Sequence, residues 1–210
     1  MDELEGRRRF ANRLEAFSDI VFGFALAQCA FALEIPKHLE DLPSKYGDLM
    51  IFGITFALVA QFWLMHHRLF EYAFAGRKLD VGLNFGLLAV VALLPYALRL
   101  WSTFGAAFAG AIAYAAVLGA GFALLAVLQW RGLHDPPRPL SPQAELSVRR
   151  AVWRHGSIGI IFLGSIPLFP SLGFRATLVW ALSLPLAMLA RVVVRARAVP
   201  AGTPAAAVES

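Results

Sequence analysis

Apolar and polar positions alternate along this chain in long blocks. Six apolar stretches are present, and each is close to the ~20 residues that cross a bilayer as an α-helix. They cover roughly residues 15–35, 49–70, 81–101, 107–130, 152–172 and 174–192. Only the segment SLGFR (171–175) separates the last two, which predicts a tight helical hairpin. The pattern predicts an all-α polytopic membrane protein with six transmembrane helices.

The composition agrees with a membrane protein. Hydrophobic residues make up 59% of the 210 residues and charged residues 16%, whereas soluble domains average about 45–50% and about 25%. The net charge is +5, and the charged residues lie mainly between the apolar stretches. Membrane topology requires that placement, so we expect no nucleic-acid partner. The single cysteine, Cys29, excludes an internal disulfide.

The basic residues predict which way the chain is inserted. Six spans place both termini and the loops near residues 71–80 and 131–151 on one side. Of the nineteen Lys and Arg residues, only Lys37, Lys45, Arg99 and Arg175 fall on the other side, against fifteen. The positive-inside rule therefore predicts cytoplasmic termini in the cell membrane. We expect a basic N-terminus over 1–14, a six-span domain over 15–195 and a disordered tail over 196–210. A cleaved signal peptide is the alternative for the start, but Glu15 and Asp19 fit it poorly.

Polar residues of three predicted helices fall at the same cytoplasmic depth. A buried polar group without a partner costs about 1–3 kcal/mol, so these residues are expected to bond to one another. Simple wetting of helix ends is the alternative. The predicted network joins Asp19 and Ser18 to His66 or His67, Trp63 and Asn84, with Arg13 as a nearby counter-charge. Adjacent histidines point about 100° apart on a helix, so we predict no metal site.

An apolar stripe follows the first helix. Phe24, Gln28 and Phe31 are spaced i, i+4, i+7 and therefore share a face, which Ile20 and Ile35 extend and Ala27 borders. Five steps of about 100° place Asp19 about 140° from Phe24 around the helix. Alone, such a stripe is more typical of lipid contact or core packing than of a pore. Gln28 favours another helix or water instead, because an amide facing lipid is costly.

Several motifs resemble the transmembrane protein 175 family of potassium channels. Arg13, three residues and then Phe17-Ser18-Asp19 is similar to the family's R-x-x-x-F-S-D signature. The resemblance continues in LEIP (33–36), WLMHHRLF (63–70) and LNFGLLAVVALLPY (83–96), and so covers roughly residues 13–101. The chain resembles the bacterial form, which has one six-helix unit, more than the animal form, which has two.

This resemblance implies a homotetrameric potassium channel whose first helices line a central pore. It also implies that the FSD motif bonds to the second and third helices, and that stacked apolar side chains constrict the pore in place of a carbonyl filter. Those positions fall at Phe24, Ala27 or Gln28, and Phe31. Relatives usually carry Ile or Leu in the first ring and Thr where Ala27 stands. We therefore expect a cation pore with a modest preference for potassium, membrane lipid as its surroundings and no resident cofactor.

Two other classes of function compete with a channel. A proton-coupled or other small-solute transporter could use Asp19 and the histidines as a relay, but it would need a substrate site at a broken midplane helix. A membrane enzyme would need convergent acid, base or ligand residues. Beyond the His66–His67 pair the sequence offers none, so no enzyme activity is predicted.

Overall fold

The computed structural model describes residues 3–31, 33, 35–104, 108–183 and 185, and within them every regular element is helical. The long helices are α1 (Glu3–Phe31), α2 (Tyr46–Tyr72), α3 (Lys78–Thr103), α4 (Phe108–His134) and α5 (Pro142–Ser165). A 3₁₀ segment over Leu39–Lys45 precedes α2. After α5 come a 3₁₀ turn (Ile166–Leu168), the short α6 (Phe169–Leu172) and a 3₁₀ segment (Gly173–Leu182).

Five of the six predicted spans are recognisable as helical segments long and apolar enough to cross a membrane in the described part of the chain. The fifth of these segments runs over Pro142–Leu182, 41 residues, and joins the predicted fifth span to the start of the predicted sixth. The sixth, over 174–192, is described only as far as 183 and at 185. Most of that span and the predicted tail lie outside the described residues.

The chain reverses inside the Pro142–Leu182 segment. Nε1 of Trp180 donates to Oγ of Ser165 at 2.9 Å, whereas fifteen residues of continuous α-helix would separate these two positions by about 22 Å. Pro167 follows the end of α5, where it cannot donate to the helix. Gly173 has φ +58°, a conformation that only glycine adopts readily. The reversal falls at the predicted hairpin segment SLGFR.

Two helix boundaries differ from the sequence pattern. The first helix begins at Glu3, so most of the predicted basic N-terminus is helical, and it ends at Phe31, which leaves Ile35 outside the helix. The fifth begins at Pro142, ten residues before the apolar stretch. The Ser141 side chain caps it by accepting a hydrogen bond from the Ala144 backbone N–H at 3.2 Å. In both helices a polar extension continues the apolar span, which hydropathy alone does not detect.

The helices pack in a fixed order around one main core. The first helix contacts α2 and α3, and α4 lies between α3 and α5. A Cβ on Gly119 would lie 2.8 Å from the Leu163 side chain, and one on Gly159 would lie 3.0 Å from the Ala123 backbone nitrogen. These glycines let α4 and α5 approach more closely than larger residues would allow. The Gly- and Ala-rich α4 is thus the main packing helix.

Charged groups join the ends of α3 and α4 at one end of the bundle, which we call the basic end. There, the nearly fully buried Asp80 accepts from Nε of Arg77 at 2.8 Å and from Nε of Arg131 at 2.6 Å. Arg77 also pairs with Asp135, in the segment after α4. The hydrogen bond to Asp80 raises the pKa of the Arg77 guanidinium, which keeps it charged. This cluster fixes the α2–α3 connection against the end of α4.

Candidate functional site

The first helix has one face buried against the rest of the chain. Leu14, Ser18, Phe22, Ala25 and Cys29 recur at spacings of three or four residues, and each is 5% exposed or less. This spacing defines one side of a helix. The buried face packs on α2 and α3 and sets the rotation of α1 within the subunit.

Three buried polar side chains lie at the junction of this face with α2 and α3. Oγ of Ser18 donates to the Leu14 carbonyl at 2.8 Å and accepts from Nδ2 of Asn84 at 3.3 Å. The Asn84 oxygen therefore faces His66, whose Nε2 lies 2.8 Å away and must carry the proton. All three residues are 0% exposed. They form a hydrogen-bonded chain from α1 through α3 to α2.

Asp19 bonds to a different partner. Its Oδ1 accepts from Nε1 of Trp63 at 2.8 Å, and the indole stacks on the His67 ring with centroids 5.8 Å apart. Nδ1 of His67 lies 3.2 Å from Oε1 of Glu15. The two histidines predicted as partners of Asp19 are thus engaged elsewhere, His66 with Asn84 and His67 with Glu15.

The sequence interpretation did not include Glu15 in this site. It lies one turn before Asp19, so the i, i+4 spacing was the signal that could have found it.

The two other residues of the predicted signature lie at the edge of these contacts. Arg13 is exposed, and six steps of about 100° place it about 120° from Asp19 around the helix. Phe17 is 46% exposed and contacts the Phe85 ring, with centroids 5.9 Å apart.

The opposite side of α1 carries the predicted apolar stripe, and the described chain leaves it largely uncovered. Ile20 is 57% exposed, Phe24 67% and Phe31 85%. Gln28 is also exposed, and Ala27 at the border is half-buried. Large apolar side chains on one continuous face of a helix indicate contact with lipid or with another copy of the chain.

A cavity of about 230 Å³ lies beside Gln28, between α1, α2 and α3 and far from the basic end. Its wall includes the charged residues Asp48 and Arg99 together with Tyr96 and Ser102. Polar side chains thus share this cavity with Gln28, although most of its wall is apolar. No pattern in the sequence predicted this cavity, because its lining residues come from three separate helices.

In the part of the chain that the structure describes, no group of three or more His, Cys, Asp or Glu side chains is placed to hold a metal ion. The site is built from hydrogen-bonding and apolar side chains.

The comparison with known families matches residues 13–95 to the family described as "Endosomal/lysosomal potassium channel TMEM175". Over these residues the chain is similar to the TMEM175 family. The matched residues are α1 from Arg13 onward, α2 and most of α3, which are the helices that hold both the polar contacts and the exposed stripe. This match confirms the resemblance indicated by the FSD motif.

Individual relatives agree with the family match. The "Potassium channel" of Marivirga tractuosa is 32% identical over 98 residues, which are 47% of this chain and 40% of that protein. The human "Endosomal/lysosomal proton channel TMEM175" is 27% identical over 195 residues, 88% of this chain and 37% of that protein. The chain thus spans less than half the length of these curated relatives.

A solved structure supports the fold. A crystal structure of a variant of the potassium channel MtTMEM175, bound to a nanobody fusion, matches with a TM-score of 0.64 and 22% identity. The match covers 88% of this chain and 92% of that chain, and so extends well beyond α3. Together with the apolar helices, it indicates a multi-pass membrane protein with the fold of that structure.

Proposed function

We propose that this chain forms a homotetrameric cation channel, with potassium as its main permeant ion and with α1 lining a central pore. Potassium is the ion named for the Marivirga relative, and the family description names a potassium channel. The observation that carries the proposal is the two-sided nature of α1. Its buried face is fixed by its own subunit, while the face with Phe24 and Phe31 is uncovered.

Four such helices around one axis would stack apolar rings along the pore. Bulky rings at Phe24 and Phe31 narrow a pore and oppose its wetting, so they act as a hydrophobic constriction. Each ring also offers a negative π-face to a partly dehydrated cation, an attraction of about 1–2 kcal/mol. Gln28 and Ala27 lie between these rings. A constriction of this type distinguishes ions weakly, so we expect only a modest preference for potassium over sodium.

The polar contacts beside the stripe hold α1 at the rotation that such a pore needs. Turning α1 would expose the buried bonds of Ser18 with Asn84, and of Asn84 with His66, at a cost of about 1–3 kcal/mol for each group left unpaired. The Asp19–Trp63 bond and the His67–Glu15 pair add contacts from α1 to α2. We assign these residues, with Arg13 and Phe17 of the signature, to positioning and gating.

The proposed orientation puts the basic end in the cytoplasm and the protein in the cell membrane. The loops that contain Arg77 and Arg138 meet at this end, and Nη2 of Arg138 donates to the Glu71 carbonyl at 3.0 Å. These basic loops lie at the end where α1 begins, which is the arrangement that the positive-inside rule favours for a cytoplasmic N-terminus.

Liposome flux tests the proposal most simply. The purified full-length protein, reconstituted with a potassium gradient, should carry potassium at a rate at least tenfold above its chloride rate. Native mass spectrometry of the same sample should give four copies of the 22.9 kDa chain. Equal potassium and chloride rates, or a monomeric protein, would contradict the channel proposal.

Proton flux belongs in the same experiment, because the human relative is named a proton channel. A pH-sensitive dye inside the liposomes would report it. Proton flux that depends on a potassium gradient, with no independent potassium leak, would favour the transporter alternative over the channel.

A further inference from the structure

An apolar groove runs along the outer surface between α4 and α5, outside the residues that match the family. The cavity has a volume of about 340 Å³, within the range of pockets that hold small organic molecules. Its walls include Val127 and Trp130 from α4, and Trp153, Gly156 and Ile160 from α5. The hydroxyl of Ser157, also in the groove, donates to the Trp153 carbonyl at 2.7 Å. The groove therefore presents mainly hydrocarbon to its occupant.

The polarity of this groove changes in steps along the helices. Val127 and Ile160, 43% and 74% exposed, lie deepest, and Trp130 and Trp153, 51% and 58% exposed, lie one to two turns nearer the basic end. Exposed tryptophans are typical of the membrane–water interface. Arg149 follows one further turn along α5, at i−4 from Trp153. The order is hydrocarbon, then indole, then cation, which matches the acyl chain, glycerol region and phosphate of a phospholipid.

The charge around the groove favours an anionic lipid. Residues 131–154 contain five arginines against two acids. Arg149 pairs with Glu145 at 2.7 Å, but both side chains are about half exposed, and such surface pairs contribute little. A guanidinium has five N–H donors, so Arg149 retains donors for a phosphate. Juxtamembrane arginines attract anionic lipids in this way.

The position of the groove makes it accessible to lipid. The first helix packs on α2 and α3, and α4 separates α3 from α5, so the α4–α5 surface lies away from α1. If α1 lies at the centre of the assembly, as the proposed function has it, this groove faces the bilayer. We infer that the α4–α5 groove binds one anionic phospholipid, with an acyl chain between Trp130 and Trp153 and the phosphate on Arg149.

Lipid titration followed by native mass spectrometry tests this inference on the full-length protein. Phosphatidylglycerol should bind at least fivefold more tightly than phosphatidylcholine. Arg149→Gln should reduce that preference about fivefold. The matched control is Arg9→Gln, because Arg9 pairs with Glu5 at 2.6 Å in the same i, i+4 arrangement on α1, where this groove is absent. The control should change the preference less than twofold. Equal losses in the two variants, or equal binding of the two lipids by the wild type, would overturn the inference.

A steric pair tests the acyl chain separately from the charge. A Cβ on Gly156 meets only Ala126, at 3.8 Å, so Gly156→Leu projects into the groove without a backbone clash. It should reduce phosphatidylglycerol binding at least threefold. Gly164→Leu, on the same helix with nothing within 4 Å, is the control and should leave binding unchanged. Tight binding retained in folded Gly156→Leu protein would overturn the groove as the site. Ion flux enters neither readout, so failure here is distinct from failure of the channel proposal.

Discussion

Two buried histidines allow a direct comparison between residues 13–95, which match the family description, and the region that follows them. His66 on α2 and His155 on α5 are 0% and 1% exposed, and each lies 2.8 Å from an amide oxygen on a neighbouring helix, Asn84 and Gln129 respectively. Each pair gives a buried imidazole one hydrogen bond inside a membrane helix bundle. As helix-to-helix connections they are chemically equivalent.

The pairs differ in what surrounds them. The second ring nitrogen of His155 accepts from Nη2 of Arg154 at 3.0 Å, so both of its nitrogens are bonded. Nδ1 of His66 is buried without a hydrogen-bond partner among the described residues. The His66 pair also continues through Asn84 to Ser18 on α1. The His155–Gln129 pair thus serves packing between α4 and α5, whereas in our proposal the His66–Asn84 pair positions the pore helix α1.

The largest expected effect separates these two roles. Asn84→Ala removes the acceptor for His66 and the donor to Ser18, and Gln129→Ala removes the acceptor for His155. At about 1–3 kcal/mol for each buried group left unpaired, both variants should lose stability, Asn84→Ala by about 2–4 kcal/mol. Thermal melts in one detergent measure this loss.

Flux per folded channel then distinguishes the two variants. Asn84→Ala should change potassium flux at least fivefold, since it frees the rotation of α1, whereas Gln129→Ala should leave it within twofold. Equal changes in flux for the two variants would contradict a special role for the His66 pair.

The next largest effect concerns the exposed apolar side chains. Phe24→Ala should raise single-channel conductance by about three- to tenfold, because the smaller side chain widens the proposed constriction and lets water enter it more easily. Planar bilayer recordings measure this directly. Phe174→Ala is the matched control, since Phe174 is also a solvent-exposed phenylalanine, at 51%, but lies beyond α5. A conductance that Phe24→Ala leaves unchanged would show that the constriction is elsewhere.

A smaller effect concerns the bond between Trp63 and Asp19. Trp63→Phe removes the indole donor but keeps an aromatic ring against His67. Hydrogen bonds to charged groups contribute about 1.5–3 kcal/mol, with the lower end expected at this exposed position. Open probability should therefore change about tenfold in bilayer recordings. Trp180→Phe removes an indole that donates to Ser165 at 2.9 Å, beyond α5, and should leave open probability unchanged. A similar change in both variants would rule out a specific Trp63–Asp19 contribution.

The smallest effect concerns the pair of His67 with Glu15. The His67 side chain is 54% exposed, and exposed pairs contribute about 0–1 kcal/mol. Glu15→Gln should therefore lower the free energy of unfolding by less than about 1 kcal/mol and change potassium flux by less than twofold at neutral pH. A larger change would mean that this pair contributes more to the position of α1 than an exposed ion pair normally does.

Sequence patterns predicted the helical spans, the turn at SLGFR and the convergence of polar residues from three helices. These features follow from apolar length and from helical periodicity, which are local. Among the predicted partners, Trp63 bonds to Asp19 and Asn84 bonds to Ser18, but neither histidine bonds to Asp19. Asp19 bonds to Trp63 and not to a histidine, because helix rotation and depth decide which of several nearby donors reaches a carboxylate.

Other features were out of reach for the same kind of reason. The helical extension over 142–151 is polar, so hydropathy does not mark it, although the Ser141 cap and Pro142 are signals of a helix start. The cavity beside Gln28 and the groove between α4 and α5 depend on residues far apart in the chain. Such sites become visible only when the helices are placed against one another.

Subunit cross-linking tests the central claim, that the exposed face of α1 lines a shared axis. In a Cys29→Ala background, the chain has no other cysteine. The test variant is Phe31→Cys, and the control, on the surface beyond α5, is Phe174→Cys. Each variant would be oxidised in reconstituted membranes and analysed by non-reducing electrophoresis. We predict subunit dimers for Phe31→Cys, together with loss of potassium flux that a reductant restores, and neither result for Phe174→Cys. Dimers and blocked flux only with Phe174→Cys would contradict the account.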